Sequence, residues 1–232
     1  MEGSDNNILK AYDYLAYYYD YLLMDDESLS YWLKYIHEEP FNTCLELASG
    51  TGVLASILKR EGYDIIASDI SSSMKEASKV NFDGEYLLLD MSNFNLDKQF
   101  DLILCLCDSF NYLSDEGVKS FISCCQKHLK EGGRLIFDMH HLSRLKEFSQ
   151  EYIEEGYIDD VGYQWTINAY ENTLNEHFTF YTDKGMIKED HVQEVFDPSK
   201  IIEELNKYFD VNYIEDFIPD EKVLFIAKKR SS

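Results

Sequence analysis

The chain has 232 residues, 45% of them hydrophobic and 15% aromatic, with only 11 Gly and 3 Pro. That is enough apolar material for one packed unit of good size, and too little Gly and Pro for fibrous or long linker segments. Lys and Arg number 21 against 44 Asp and Glu, a formal net charge of −23. Such a field repels phosphate backbones, so no nucleic-acid partner is expected without a local basic patch. The short basic runs 127–134 and 228–230 read as element ends.

The amino-terminal stripe Leu9, Tyr12, Leu15, Tyr19 and Leu22 predicts a helix from about Ile8 to Leu23. A second helix is expected over Ser28–His37, closed by Pro40. Thr43–Leu47 is a short apolar strand that runs into Ala48-Ser49-Gly50-Thr51-Gly52 and a helix through Lys59. Ile65–Ala67 is a second strand ending at Asp69, and Ser71 to Ser73 offer caps for the next helix. Tyr86–Leu89 is a third strand ending at Asp90, and Phe100–Leu106 a fourth ending near Asp108. Asp115 opens a helix to Leu129, stopped by Gly132-Gly133, and Arg134–Phe137 is a fifth strand ending at Asp138.

Strand and helix alternate five times, which predicts a parallel sheet with helices on both faces and ligands at its carboxyl edge. Beyond Asp138 the pattern changes. Gly162–Tyr170, Leu174–Thr182 and Met186–Phe196 read as three antiparallel strands. Asp197 and Pro198 open a helix to Tyr208. The strands Val211–Ile218 and Val223–Ala227 are too close together for a parallel crossover and must form a hairpin. The expected fold class is α/β: a Rossmann-like, doubly wound, seven-stranded sheet with that hairpin at its end and a small antiparallel β cap inserted after the fifth strand. The expected organisation is a single domain: a helical segment over 1–40, a cofactor-binding core over 41–140, a substrate cap over 141–197, and a closing helix and hairpin over 198–232.

The five cysteines, Cys44, Cys105, Cys107, Cys124 and Cys125, sit in apolar surroundings. Neither a secretory leader nor a membrane-spanning stretch is read in the sequence, so reduced thiols and a cytoplasmic setting are expected. Cys105 and Cys107 alternate along a strand with one residue between them, a poor spacing for zinc, and no metal is expected.

The loop Glu46-Leu-Ala-Ser-Gly-Thr-Gly52 resembles motif I of the class I S-adenosylmethionine-dependent methyltransferases. Ala48 stands where that family usually has its first Gly, and Val53 stands where a dinucleotide loop would have its third. Phe100–Leu113, Glu131–Asp138, Ala16–Asp20 and the His-x-Gln stretch His191–Gln193 extend the likeness over nearly the whole chain. The chain is similar to the small bacterial subgroup that includes glycine N-methyltransferase and the N,N-dimethyltransferases of amino sugars. The resemblance implies S-adenosylmethionine as cofactor, S-adenosylhomocysteine as product, and Glu46, Ala48, Ser49, Gly50, Gly52, Asp69, Ile70, Asp90, Met91 and Asp108 around it. In this pattern Asp69 takes the ribose hydroxyls, Ile70 packs on adenine and Asp90 receives the adenine amino group.

The implied reaction is in-line methyl transfer to a small-molecule acceptor, with an amine ahead of hydroxyl and thiol. His140, His191 and Tyr19 are the candidate catalytic residues; His141, Tyr163 and Trp165 are further candidates for the pocket. An RNA-directed methyltransferase and a non-catalytic S-adenosylmethionine-binding accessory protein stay open as alternatives.

Overall fold

The computed structural model describes residues 14–23, 26–183 and 185–231. Leu9 and Tyr12 of the expected first helix lie outside the described residues. Within them, the N-terminal segment forms a 3-10 turn, Leu15–Tyr17, and a short helix α1, Tyr19–Leu23. Helix α2 spans Asp26–Ile36.

The core then runs β1 (Thr43–Leu47), α3 (Val53–Arg60), β2 (Asp64–Asp69), α4 (Ser72–Ala77), β3 (Glu85–Leu88), β4 (Phe100–Cys105), α5 (Asp115–His128) and β5 (Leu129–His140). After α6 (Ser143–Glu147) come β6 (Tyr152–Ile158), β7 (Val161–Tyr170), β8 (Thr173–Thr182) and β9 (Gly185–Glu194), then α7 (Pro198–Leu205), β10 (Phe209–Ile218) and β11 (Lys222–Lys229).

The main sheet has the order β10-β11-β5-β4-β1-β2-β3. β1 pairs in parallel with both β2 and β4, and β11 runs antiparallel between β5 and β10. The chain therefore winds outward from β1 to β3, returns to β4 on the other side of β1, and leaves a crevice where the direction reverses. The strands are apolar on both faces because both are covered. On one face Phe121, Ile122 and Cys125 of α5 pack with Ile201 and Leu205 of α7 against Phe100, Ile103 and Phe137. On the other, Trp32 and Ile36 of α2 pack with Leu54 and Leu58 of α3 against Cys44, Leu102 and Leu104. Ser71 Oγ caps α4 by accepting from the Met74 amide at 3.2 Å, and the Asp197 carboxylate caps α7 by accepting from the Ser199 amide at 2.9 Å.

Two sequence expectations change. The glycine pair does not end α5; the helix stops at His128 and the strand begins at once at Leu129. The register between β4 and β5 shifts between Phe100 and Leu102, so the glycines serve an irregular strand start. Any Cβ at Gly133 would come 3.0 Å from the Lys130 carbonyl oxygen and 3.1 Å from that of Asp101.

The antiparallel cap has four strands, in the order β6-β7-β8-β9, where three were expected. The missed strand, Tyr152–Ile158, is an edge strand carrying Glu154, Glu155 and Gly156. Charge and glycine suit an unpaired edge but hide it from a pattern search. The hairpin and the insertion after β5 stand as expected. Among the described residues no helix is long and apolar enough to cross a membrane.

Candidate active site

At the carboxyl ends of β1 and β2 the site is made mostly of backbone. The chain turns out of β1 with Ala48, Gly50 and Gly52 all in the left-handed region, at φ 51°, 53° and 73°. A Cβ at Gly52 would come 3.0 Å from Phe82 Cβ, so glycine there answers both the turn and the contact. Ser49 ties the strands together: its Oγ donates to the Glu46 carbonyl at 2.9 Å and accepts from the Ser68 amide at 3.1 Å. The Asp69 carboxylate accepts from the Gly50 amide at 3.0 Å and the Ser71 amide at 2.9 Å. Burial pushes the Asp69 carboxyl up, and these amides oppose the shift.

Glu46 is buried at the end of β1, and among the described residues its Oε2 has no hydrogen-bond partner, although Ser49 and the Ala55 amide bond to the carboxyl group. Burial raises its carboxyl to about 8. Ile70 is 37% exposed just beyond β2, a large apolar side chain left open at a strand end. Asp90 is exposed and accepts from the amide and hydroxyl of Ser92, each at 2.7 Å. Met91 is half-buried against Cys105. From the N-terminal segment Asp20 contacts Thr51 Oγ1 and accepts from Asn81 Nδ2 at 2.9 Å, which places α1 over the loop.

The other half of the edge is a cavity of about 230 Å³ between the ends of β4 and β5, the cap and α1. Tyr19, Asp108, His140 and His191 all line it, as do Trp165 and Glu176 of the cap. Beneath it lies a buried polar network. Cys107 and Asp108 are consecutive non-glycine residues in the left-handed region, at φ 61° and 58°, a conformation that costs on the order of 1–2 kcal/mol per residue. The Asp138 carboxylate holds them there by accepting from both amides, at 3.2 and 2.8 Å, and it accepts from Trp32 Nε1 at 2.8 Å.

Lys222 enters from the terminal hairpin and contacts the Asp108 carboxylate. Burial raises Asp138 to about 6, with Lys222 opposing. Burial also pushes Asp108 up, but His140 and Lys222 outweigh it and hold Asp108 below the usual range.

Both ring nitrogens of His140 face protein. Gln193 Nε2 donates to the Asp108 carbonyl at 3.1 Å, so Gln193 Oε1 is the acceptor for His140 Nε2 at 2.8 Å. His140 Nδ1 lies 3.4 Å from Asp108 Oδ1. Burial lowers the imidazole, with Asp108 opposing. His191 Nδ1 is 3.2 Å from the Tyr112 hydroxyl. Tyr19 OH lies 3.4 Å from Cys107 Sγ. His141 turns away and bonds Ser143 Oγ at 2.6 Å. Trp165 stacks on Phe178, ring centroids 5.3 Å apart, while the Tyr163 hydroxyl donates to Glu154 at 2.8 Å.

Sequence reasoning did not single out Glu176, Arg144 or Lys222, and it met Gln193 only as the end of the His-x-Gln stretch. The alternation of β8 and β9 could have placed Glu176 and Gln193 on the inner face. Nothing local marks Lys222, which stands opposite His140 only through the β5–β11 register.

Strand order, switch-point crevice and glycine turn together make the Rossmann-like fold that the resemblance implies. The buried Glu46 carboxyl, with one oxygen unpartnered among the described residues, the open Ile70 side chain and the buried Asp69 carboxylate could hold a ligand with an amino group, a flat base and vicinal hydroxyls. Residues 44–133 match a family model described as a methyltransferase domain. A protein of Geobacillus sp. (strain WCH70) that carries a provisional methyltransferase name is 24% identical, over 94% of this chain and 100% of its own length. Two solved structures share the fold. An S-adenosylmethionine-dependent methyltransferase from Clostridium acetobutylicum ATCC 824 gives a TM-score of 0.80 at 23% identity, over 95% of this chain and 99% of that one. The sugar N-methyltransferase KedS8 from Streptoalloteichus sp ATCC 53650 gives 0.77 at 18% identity, over 92% of each chain. Residues 44–133 thus match a methyltransferase domain, and nearly the whole chain shares the fold of a solved S-adenosylmethionine-dependent methyltransferase.

Proposed function

We propose that the protein methylates the nitrogen of a small molecule held under the four-stranded cap. The observation that carries this reading is the cavity itself: about 230 Å³, walled by aromatic rings and bearing the carboxylates of Asp108 and Glu176. That volume suits a metabolite and not a polymer. Carboxylates attract an ammonium, as does the net charge of −23. The fold neighbour from Streptoalloteichus acts on a sugar nitrogen by its own description, which supports the same class of acceptor.

In this reading Asp69 accepts the ribose hydroxyls, Ile70 and Met91 flank adenine, Asp90 takes the adenine amino group and Glu46 the methionine amino group. Ala48, Ser49, Gly50 and Gly52 let backbone approach closely. Asp108, tied to Lys222, forms the wall of the acceptor cavity, and Tyr19 closes it from α1. The sulfonium methyl is already electrophilic, so the chain's own contribution is positioning, exclusion of water and handling of one proton. The chain works as one catalytic unit, with residues 141–197 covering the acceptor, in a cytoplasmic setting.

The test is incubation with methyl-labelled S-adenosylmethionine and a fractionated bacterial metabolite extract. Label should enter an amine of low molecular mass. Label in RNA, or none in any fraction while the labelled cofactor stays bound, would sink the reading in favour of an RNA enzyme or a binding protein.

A further inference from the structure

His140 and His191 are the obvious proton acceptors in the cavity, yet neither offers it a clear lone pair. The nitrogens of His140 face Gln193 and Asp108, and Nδ1 of His191 faces Tyr112. Glu176 differs. It projects from the middle of β8 on the same face as Leu174 and Phe178, and it lines the cavity. One carboxylate oxygen accepts from Trp165 Nε1 at 3.0 Å. Among the described residues no cation is within ion-pairing distance, although Arg144 and Lys222 share the same cavity. Lys222 is engaged by Asp108, and Arg144 Nη1 by Glu147 at 2.6 Å.

We propose that Glu176 is the residue that receives the acceptor's amine: it pairs with the ammonium beside the Trp165–Phe178 wall and takes one proton from it. This rests on the reading of the acceptor as an amine, and it adds a body to that amine, flat or apolar enough to lie against the two stacked rings. The balance is simple. An ammonium N–H bond breaks and its proton moves to the Glu176 carboxylate, leaving the electron pair on nitrogen. That pair forms the new N–C bond as the methyl's C–S bond breaks, with the C–S electrons staying on sulfur. Positive charge passes from sulfur to nitrogen, and the Glu176 proton is lost to solvent when the product leaves.

The surroundings suit the task. Burial raises the Glu176 carboxyl to about 7; the Trp165 bond opposes this, Asp108 adds to it, and Arg144 and Lys222 oppose it. The other titratable groups around the cavity are His191 on β9, His140 at the end of β5, Cys107, Glu221, and the phenols of Tyr19 and Tyr112. A base that titrates near neutrality combines a usable ionised fraction with useful basicity.

The experiment uses the full chain with benzylamine as probe and benzyl alcohol as its neutral counterpart. Binding is measured by calorimetry on protein saturated with S-adenosylhomocysteine, and transfer with methyl-labelled cofactor. Wild type should bind and methylate benzylamine but not benzyl alcohol, with kcat/KM rising through an acid limb near pH 7. Glu176→Gln should bind benzylamine at least about tenfold more weakly and lose roughly 10²–10⁴-fold in kcat/KM, without that limb. It should keep wild-type S-adenosylhomocysteine affinity, which shows that it folds, and Glu176→Asp should recover part of the rate. If wild type labels benzyl alcohol as well as benzylamine, the amine reading itself fails. If wild type methylates benzylamine and Glu176→Gln does so with the same rate and pH profile, the amine reading stands and the role of Glu176 is overturned. If wild type does not bind benzylamine, the Glu176–Trp165 amine site is overturned.

Discussion

The two halves of the sheet edge are built by different means. At the ends of β1 and β2, Glu46, Ser49, Gly50, Asp69 and Ser71 come from two short stretches, 46–50 and 69–71, on adjacent strands, and backbone amides and carbonyls supply most contacts. At the ends of β4 and β5, one network draws on Trp32, Cys107, Asp138, Gln193 and Lys222, which span nearly the whole described chain. A site made of local backbone can be disabled for binding while the fold stands. A site made of buried charges from distant elements is also part of what holds the fold together.

The largest expected effect separates the two halves. Lys222→Met leaves Asp108 and Asp138 buried without their cation. Breaking such a pair costs about 3–5 kcal/mol, a melting-point drop of roughly 6–20 °C for a chain of this length. S-adenosylhomocysteine affinity of the folded protein should stay within about threefold. A melting point within a degree or two of wild type would remove the network from the account of stability.

Asp69→Ala should behave in the opposite way. If Asp69 accepts both ribose hydroxyls as proposed, losing two charge-assisted bonds should weaken S-adenosylhomocysteine binding by about 2–4 kcal/mol. Gly50 and Ser71 also lose their shared acceptor, so the loop loosens, but no apolar core is opened. Titration calorimetry reads the affinity, and undiminished binding by a folded mutant would take Asp69 out of the site.

A smaller effect appears in the pH dependence. Glu46 has a folded-state carboxyl raised to about 8, above its value in the unfolded chain, so the folded state holds that proton more tightly. Its contribution is complete at low pH and is lost as pH rises from about 4.5 to 8. Asp138, raised to about 6, and Glu176, raised to about 7, act in the same direction, and the three outweigh His140, whose lowered imidazole acts the opposite way. Denaturant unfolding at pH 5 and pH 8 should therefore show the cofactor-free protein weaker at the higher pH, and Glu46→Gln should shrink the difference. An unchanged difference would mean that Glu46 is solvated and not buried.

The smallest change is Ala48→Gly. Relief of the left-handed strain at φ 51° is partly cancelled by the greater freedom of Gly in the unfolded chain, for a net gain of up to about 1 kcal/mol. A melting point raised by a few degrees or less fits this; a lowered one would show that the alanine methyl packs usefully.

The β1–β2–β3 edge was legible because each of its signals is short-range. Glycine spacing after Leu47, the acid at Asp69 and the acid at Asp90 are each read from a handful of neighbouring residues, and the alternation of apolar runs orders them along one sheet edge; the cofactor roles given to them came from the resemblance. The hairpin was legible for a similar reason, since a link of a few residues between two strands leaves no room for a crossover. The edge strand Tyr152–Ile158 was hidden, because Glu and Gly are what protect an edge and also what erase the strand pattern. His140 and His191 could be named from sequence, but not the groups their ring nitrogens would face. Those depend on Gln193, 53 residues from His140, and on Tyr112, 79 residues from His191.

By itself, then, the sequence determined the winding of the sheet, its closing hairpin and the glycine turn, because periodicity and turn chemistry act over a few residues. Only the tertiary structure decided that Lys222 sits beside Asp108 and that Glu176 shares a cavity with His140. The first follows from pairing between β5 and β11, and the second from closure of the cap over the edge. Both depend on which strands meet and in what register, a choice made by burial of the whole core and written in no single stretch of the chain.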